Sequence, residues 1–242
     1  MRERTGIGRM IAEFLLIVIG VAAGLGVDRW VQGIDDSRAE AEYLALVLRD
    51  AEANAGIFEG MVLDWEAARD ATADLIEAVE NPTERPTHAG LLIAVARAGT
   101  VNTVPARDAS FRDMESTGNV RLISDRQLRA QIVDYFTQDI RFGRPIIEDR
   151  LDLRFRTFAR EYLPPDLWGH RTLCASASPA FDCRFEDPPS SDRLWSALTG
   201  NASMTELLNS RYADAISGSG VARGWAARTD ELLVLLRGAL SL

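Results

Sequence analysis

The hydrophobic positions change their rhythm along the chain. Met10 to Val27 is apolar in a nearly unbroken run, with Glu13 as its one charged residue. Eighteen residues at ~1.5 Å each reach about 27 Å, close to the ~30 Å hydrocarbon core of a bilayer. No polar face divides the run from Phe14 to Val27, which fits lipid on all sides better than the core of a soluble bundle. After Asp36 a stripe replaces the run. Tyr43, Val47, Ala51, Asn54, Phe58, Met61, Trp65, Ala68, Thr72, Leu75 and Val79 recur at a mean spacing of 3.6 residues, the helix period. Asn54 and Thr72 are its polar interruptions. Asp35, Asp36 and Ser37 offer capping oxygens at its start, and Asn81-Pro82 and Pro86 end it. Such a helix is about 65–70 Å long, and Gly56 and Gly60 are places for it to bend. Running straight on from the apolar segment, it would hold the rest of the chain away from a bilayer.

The remaining pattern is also helical. Thr87 to Ala98 reads as a helix closed by Gly99, and Val101 to Pro105 as a connection. Asp108 to Thr117 is a shorter helix with Gly118 as a left-handed cap. Ser124 through Gln127 fits a capping box, in which the serine oxygen accepts from the third amide and the glutamine reaches back. Leu128, Ile132, Tyr135, Phe136 and Ile140 share one side of the next helix, until Pro145 breaks it near Gly143. Ile147, Leu151, Phe155, Phe158 and Tyr162 mark another, stopped by Pro164-Pro165. Residues 164–190 form a loop rich in proline and serine. A short helix near Asp192–Leu198 precedes a long one from about Ser203 to Leu240. Gly218-Ser219-Gly220 within it marks either a break or a close approach by another helix. No strand-like alternation or internal repeat occurs.

The predicted fold is all-α: one amino-terminal transmembrane helix leading into an exported antiparallel helical bundle with long helices. It divides into a cytoplasmic tail (1–9), the span (10–27), a long juxtamembrane helix (28–80) and the remaining exported domain (81–242).

Charge sets the orientation. Arg2, Arg4 and Arg9 precede or open the run, while the chain after Val27 carries 34 acids against 24 arginines. The positive-inside rule places the first nine residues in the cytoplasm and exports the chain beyond Asp28. This predicts the inner membrane of a bacterium, with the domain periplasmic or extracellular. A cleaved signal peptide has a similar start, and Val21-Ala22-Ala23 would pass as its cleavage site, but the apolar run is longer than a usual signal core. Trp30 sits where an interfacial aromatic anchor belongs. Gly20 and Gly24 lie on one helix face, spaced for close helix pairing in lipid. Glu13 either reaches up to the headgroups or pairs with a polar group on a neighbouring membrane helix. Cys174 and Cys183 should bond in an oxidising compartment, closing the 164–190 loop.

The net charge of -9 argues against nucleic acid as a partner. All 27 basic residues are arginine, which excludes a Schiff-base lysine and the lysine of a phosphate-binding loop. Two histidines and two cysteines are too few for most zinc sites, so no metal or cofactor is expected. No nucleophile elbow, zinc-protease helix or Cys-x-x-Cys occurs. His88 could cap a helix, and nothing fixes a triad around His170. The best basic cluster includes Arg150, Arg154 and Arg160, a candidate contact for an anionic lipid or partner. Interspersed Glu148, Asp149, Asp152 and Glu161 make a solvated face the simpler reading.

Two blocks carry a resemblance. The first runs from Ala12-Glu13-Phe14 to Gly20 and on to Trp30, followed by Glu42-Tyr43-Leu44 to Asp50 and Asn54. The second spans Phe111 to Phe136, with Glu115-Ser116-Thr117-Gly118-Asn119 and Leu122-Ile123-Ser124-Asp125 leading into Leu128-Arg129. Together they resemble a bacterial domain-of-unknown-function family of single-pass membrane proteins. That family has an acidic residue at the start of its span, a tryptophan just past it, a Tyr-Leu helix and a Ser-x-Gly-Asn turn. The chain departs from it at Asp28-Arg29, where asparagines are usual, and after about Gln138. The resemblance favours an uncleaved anchor and implies no activity. The sequence therefore predicts a structural, scaffold or accessory subunit of a larger membrane assembly, not an enzyme. Its partners would be lipid and either a membrane protein or a second copy bound through the span. A ligand-sensing module working through a membrane partner is the alternative, and an exported hydrolase using paired carboxylates is the third.

Overall fold

The structure is a computed structural model and describes residues 4–100, 105–137, 153–163 and 190–241. Every regular element among them is helical: α1 (Arg4–Glu80), α2 (His88–Ala98), α3 (Ala109–Thr117), a 3-10 turn (Asn119–Leu122), α4 (Arg126–Asp134), α5 (Arg154–Tyr162), α6 (Asp192–Thr199) and α7 (Met204–Leu240).

The apolar run and the amphipathic stripe are one helix. The 77 residues of α1 are continuous, about 115 Å from end to end. Gly56 and Gly60 do not interrupt it, and no neighbouring atom lies within 4 Å of where their Cβ atoms would be. The described side chains from Phe14 to Gly33 are all exposed, so this half of α1 projects without a companion among the described residues; Leu44 is the first described residue of α1 that is buried. Among the described residues no helix is long and apolar enough to cross a membrane. Eight side chains between Met10 and Val27, Glu13 among them, lie outside that statement.

From Leu44 onward the stripe organises the bundle. Nine of its eleven positions are buried, and only Tyr43 and Val79 are partly exposed. Helix α7 returns antiparallel along this face. Glu52 pairs with Arg237 and Glu66 with Arg223, equal steps up one helix and down the other. The shorter helices thicken the two ends of this pair. Toward the free half of α1, Leu44, Val47 and Ala51 meet Phe111, Met114, Ile132 and Phe136, with Leu232, Leu233 and Leu236 from α7. At the opposite end Ala71 and Leu75 meet α2, α5, α6 and the start of α7 through Leu91, Val95, Phe155, Leu198 and Leu208. Between them the buried layer is almost α1 against α7 alone: Phe58, Met61, Trp65 and Ala68 on Ala215 and Ala222.

That middle layer explains the Gly-Ser-Gly segment. It does not break α7. A Cβ on Gly218 would stand 2.5–2.7 Å from three ring carbons of Trp65, so the glycine is where the indole lies flat on α7. Arg211, one and a half to two turns earlier, covers the ring, its guanidinium carbon 5.2 Å from the centroid. Arg211 is only 2% exposed and donates to the carbonyls of Ala98 and, at 2.6 Å, Thr100, closing the carboxyl end of α2. Burial pushes the pKa of its guanidinium down to about 10, well below the ordinary arginine range, with Asp214 acting the other way.

Of three expected caps, one forms as read and two differ. Gly118 is left-handed at φ 71°, as the pattern requires. Gly99 is not: its φ is -76°, and its missing side chain instead admits Ala159 of α5, 3.3 Å from where a Cβ would lie. At α4 the cap is Asp125, whose Oδ1 accepts from the amides of Gln127 and Leu128, at 2.8 and 3.2 Å. Ser124 is held elsewhere, because its amide and hydroxyl both donate to Glu40 of α1, at 2.8 and 3.0 Å.

Candidate functional site: a trough beside the projecting helix

The polar residues of α1 form a ladder that fixes the segment from Arg107 to Ser124 against it. Asn54 is fully buried; its Oδ1 accepts from the Arg107 amide at 2.6 Å, and its Nδ2 donates to the Arg107 carbonyl at 2.9 Å. Asp50 accepts from the Ser110 amide at 2.9 Å. It thus supplies the amino end of α3 with the acceptor that the local cap, Asp108, does not provide. Tyr43 accepts from Asn119 at 2.8 Å and donates to Asp113 at 3.3 Å. Glu40 completes the series at Ser124. As α1 is climbed from 40 to 54, its partner is descended from 124 to 107, so the two run antiparallel.

A buried relay joins this ladder to α7. The Asn54 amide donates to the Tyr135 hydroxyl at 3.3 Å, and Thr229 donates to the Trp225 carbonyl at 2.8 Å. The Thr229 hydrogen is therefore used, so Tyr135 donates to Thr229 Oγ1, at 3.0 Å. A fully buried asparagine is stable here because every hydrogen-bonding group facing it is answered.

The ladder shapes a trough at the end of the bundle from which α1 projects. Its main part encloses about 680 Å3 between α1, the start of α4 and the end of α7. Leu44, Leu128, Val234, Leu235, Ala239 and Leu240 give it an apolar floor, and among the described residues Glu40 and Asp125 are its only charged lining residues. On one side it continues across Glu40 and Ser124 into a hollow of about 610 Å3 that adds Asp36 and Arg121. On the other it continues past Gln131 to Asp134, Glu231 and Arg228. Among the described residues five carboxylates thus face two guanidiniums, and the carboxyl end of α7, the negative end of its dipole, opens into the same place. Val234 is 70% exposed, and Leu235 and Leu240 are partly open.

A second polar cluster pins the far end of the bundle. The Ser191 amide donates to His88 Nδ1 at 3.3 Å, so that nitrogen is the unprotonated one and the Ser191 hydroxyl donates to it at 2.7 Å. Arg85 donates to Ser191 Oγ at 3.2 Å and pairs with Asp192 at 2.7 Å. The Arg85 hydrogen bond, and after it Ser190, hold the Asp192 carboxyl below its ordinary value. Ser191 is 1% exposed, which makes this serine–histidine pair a staple between α2 and α6 rather than an open nucleophile. It also explains why Ser191 makes no side-chain cap bond to α6.

The residues singled out in the sequence do not converge. Gly20 and Gly24 lie on the projecting half of α1 with nothing within 4 Å, and Trp30 is 69% exposed. Glu13 lies within α1, its side chain outside the described set. Cys174, Cys183, His170 and Arg150 lie outside the described residues. Arg154 and Arg160 are exposed on α5, and both are engaged with other groups. Arg156 beside them is lowered by burial and then by Arg160. Among the described residues no three His, Cys, Asp or Glu side chains are grouped to hold a metal ion. The buried acids Asp50 and Asp108 are bound to an amide and to Arg112 respectively.

The trough was not read from the sequence, although a signal existed. Leu232, Leu233, Val234, Leu235 and Leu236 cover every face of a helix, so one core cannot bury them all. Comparison with protein-family models, curated proteins and solved structures returned no match.

Proposed function

We propose that the chain is a membrane-anchored accessory subunit of a larger membrane-protein assembly. Phe14 to Val27 lies in lipid with Trp30 at the boundary, the first nine residues are cytoplasmic, and the bundle stands outside a bacterial inner membrane. The observation that carries the reading is the continuity of α1. The helix whose free half exposes Phe14, Leu16, Ile17 and Ile19 is the same helix that forms the spine of the bundle. A rigid rod of this kind transmits the position of the anchor directly to the trough, about 15–25 Å beyond Val27. Among the described residues nothing lies within 4 Å of where a Cβ on Gly20 or Gly24 would stand. These glycines suit a second helix in the membrane, from a partner or another copy, with Glu13 near its cytoplasmic end.

The two blocks that carry the resemblance meet in the ladder, where Tyr43 and Asn54 from one bond Asn119 and Tyr135 from the other. The test is native-mass analysis of the full chain extracted in mild detergent. A complex larger than one copy, with a defined membrane partner, is expected; a monomer with no co-purifying protein would refute the assembly role. The size of the trough also falls in the small-molecule range and favours ligand sensing as the second reading. A thermal-shift screen against metabolites addresses it, and a flat screen removes it.

A further inference from the structure

Building on that assembly role, we infer that the trough seats a cationic amphipathic helix of about three turns from a neighbouring membrane protein. Length is the first argument. The floor and its extensions run along α7 from Glu231 to Leu240 and along α1 from Gly33 to Leu44. Both distances are about 14–16 Å, three helical turns. A helix laid there would set its apolar stripe over Val234, Leu235 and Leu240.

Charge selects among the occupants. The rim is acidic at Asp36, Glu40, Asp125, Asp134 and Glu231, with Arg121 and Arg228 opposed to them, and the α7 dipole adds to the negative sign. An anionic lipid headgroup meets repulsion there. Arginine or lysine flanking an apolar stripe meets attraction on both sides of the floor. The height also suits such a partner. The trough lies beside the rod that emerges from the membrane, where a neighbour's own juxtamembrane helix runs.

The test uses the full chain in native membranes, with a photo-cross-linking benzoylphenylalanine replacing Val234, Val31 or Ile216 in turn. Val234 and Val31 are exposed in the trough and on the projecting rod, and Ile216 is exposed on α7 away from both. The expected result is one discrete adduct from the Val234 position and none from Ile216. Its cross-linked peptide, mapped by mass spectrometry, should be an amphipathic segment carrying at least two basic residues. Reversing rim charges that make no bond among the described residues, Asp36→Arg with Glu231→Arg, should lower that adduct about fivefold and leave the Val31 adduct unchanged. An adduct to a second copy, to lipid, or to a neutral or acidic segment overturns the inference while the assembly role stands. So does an adduct from Val31 but none from Val234, or an adduct indifferent to the charge reversal. No adduct from either position refutes both.

Discussion

Replacing Gly218 by alanine should destabilise the bundle, although alanine is the better helix former. The new Cβ would lie 2.5–2.7 Å from the Trp65 ring, about 1 Å inside ordinary carbon–carbon contact. The ring cannot swing aside, because it is 1% exposed and covered by Arg211. Overpacking costs ~1–3 kcal/mol, and a rigid, enclosed ring puts this site at the upper end. The glycine-to-alanine change returns ~1 kcal/mol of helix propensity, leaving a net loss of about 2 kcal/mol. Gly220 and Gly224 are the controls. They sit on the same helix with nothing within 4 Å, so Gly220→Ala and Gly224→Ala should each gain ~0.5–1 kcal/mol. At ~2–4 °C per kcal/mol for a chain of this size, Gly218→Ala and Gly220→Ala should melt about 5–12 °C apart. The assay is thermal unfolding of the detergent-solubilised full chain, followed by circular dichroism at the helix band. A Gly218→Ala variant melting at or above the parent would refute the close contact of α1 with α7.

Asn54→Ala should lower stability by about 3 kcal/mol, since it strands both backbone groups of Arg107 and one partner of Tyr135. Hydrogen–deuterium exchange should show the Arg107 amide losing its protection first, and unchanged protection would contradict the ladder. Gly118→Ala should cost ~1 kcal/mol with no steric contact at all, because the left-handed backbone alone opposes a side chain. A melting temperature equal to the parent's would show that the turn relaxes. Asp192 has a carboxyl lowered by Arg85, so the stability it lends is present above its ordinary value of 3.8 and is lost as pH falls through the lower folded value. Melting curves of parent and Asp192→Asn should therefore converge as acid is added, and a constant gap would exclude the staple's dependence on this charge.

The bundle's spine was legible because a 3.6-residue stripe encodes a buried face directly. Even its polar interruptions obeyed the period: Thr72 is fully buried and donates to the Ala68 carbonyl at 2.6 Å, and Asn54 is the centre of the relay. Helix ends were legible where one residue type dominates, as at Gly118. They slipped where a distant residue competed. Ser124 and Asp125 are both good caps, and Glu40, 84 residues away in the chain, took the serine. The same limit hid the trough, which exists only because α7 returns to the level of Ser37 and Glu40. Local pattern shows that the leucines near the end of α7 outnumber the places in one core. It does not show which surface the remainder completes.

The central claim is that the apolar start of α1 rests in a membrane and carries the bundle to the far side. Paired carboxyl-terminal fusions test it most directly, one to an alkaline phosphatase active only after export and one to a fluorescent protein that folds only inside. An active phosphatase and a dark fluorescent fusion, both in the carbonate-resistant membrane fraction, are expected. A bright fluorescent fusion released into the soluble fraction would contradict the account.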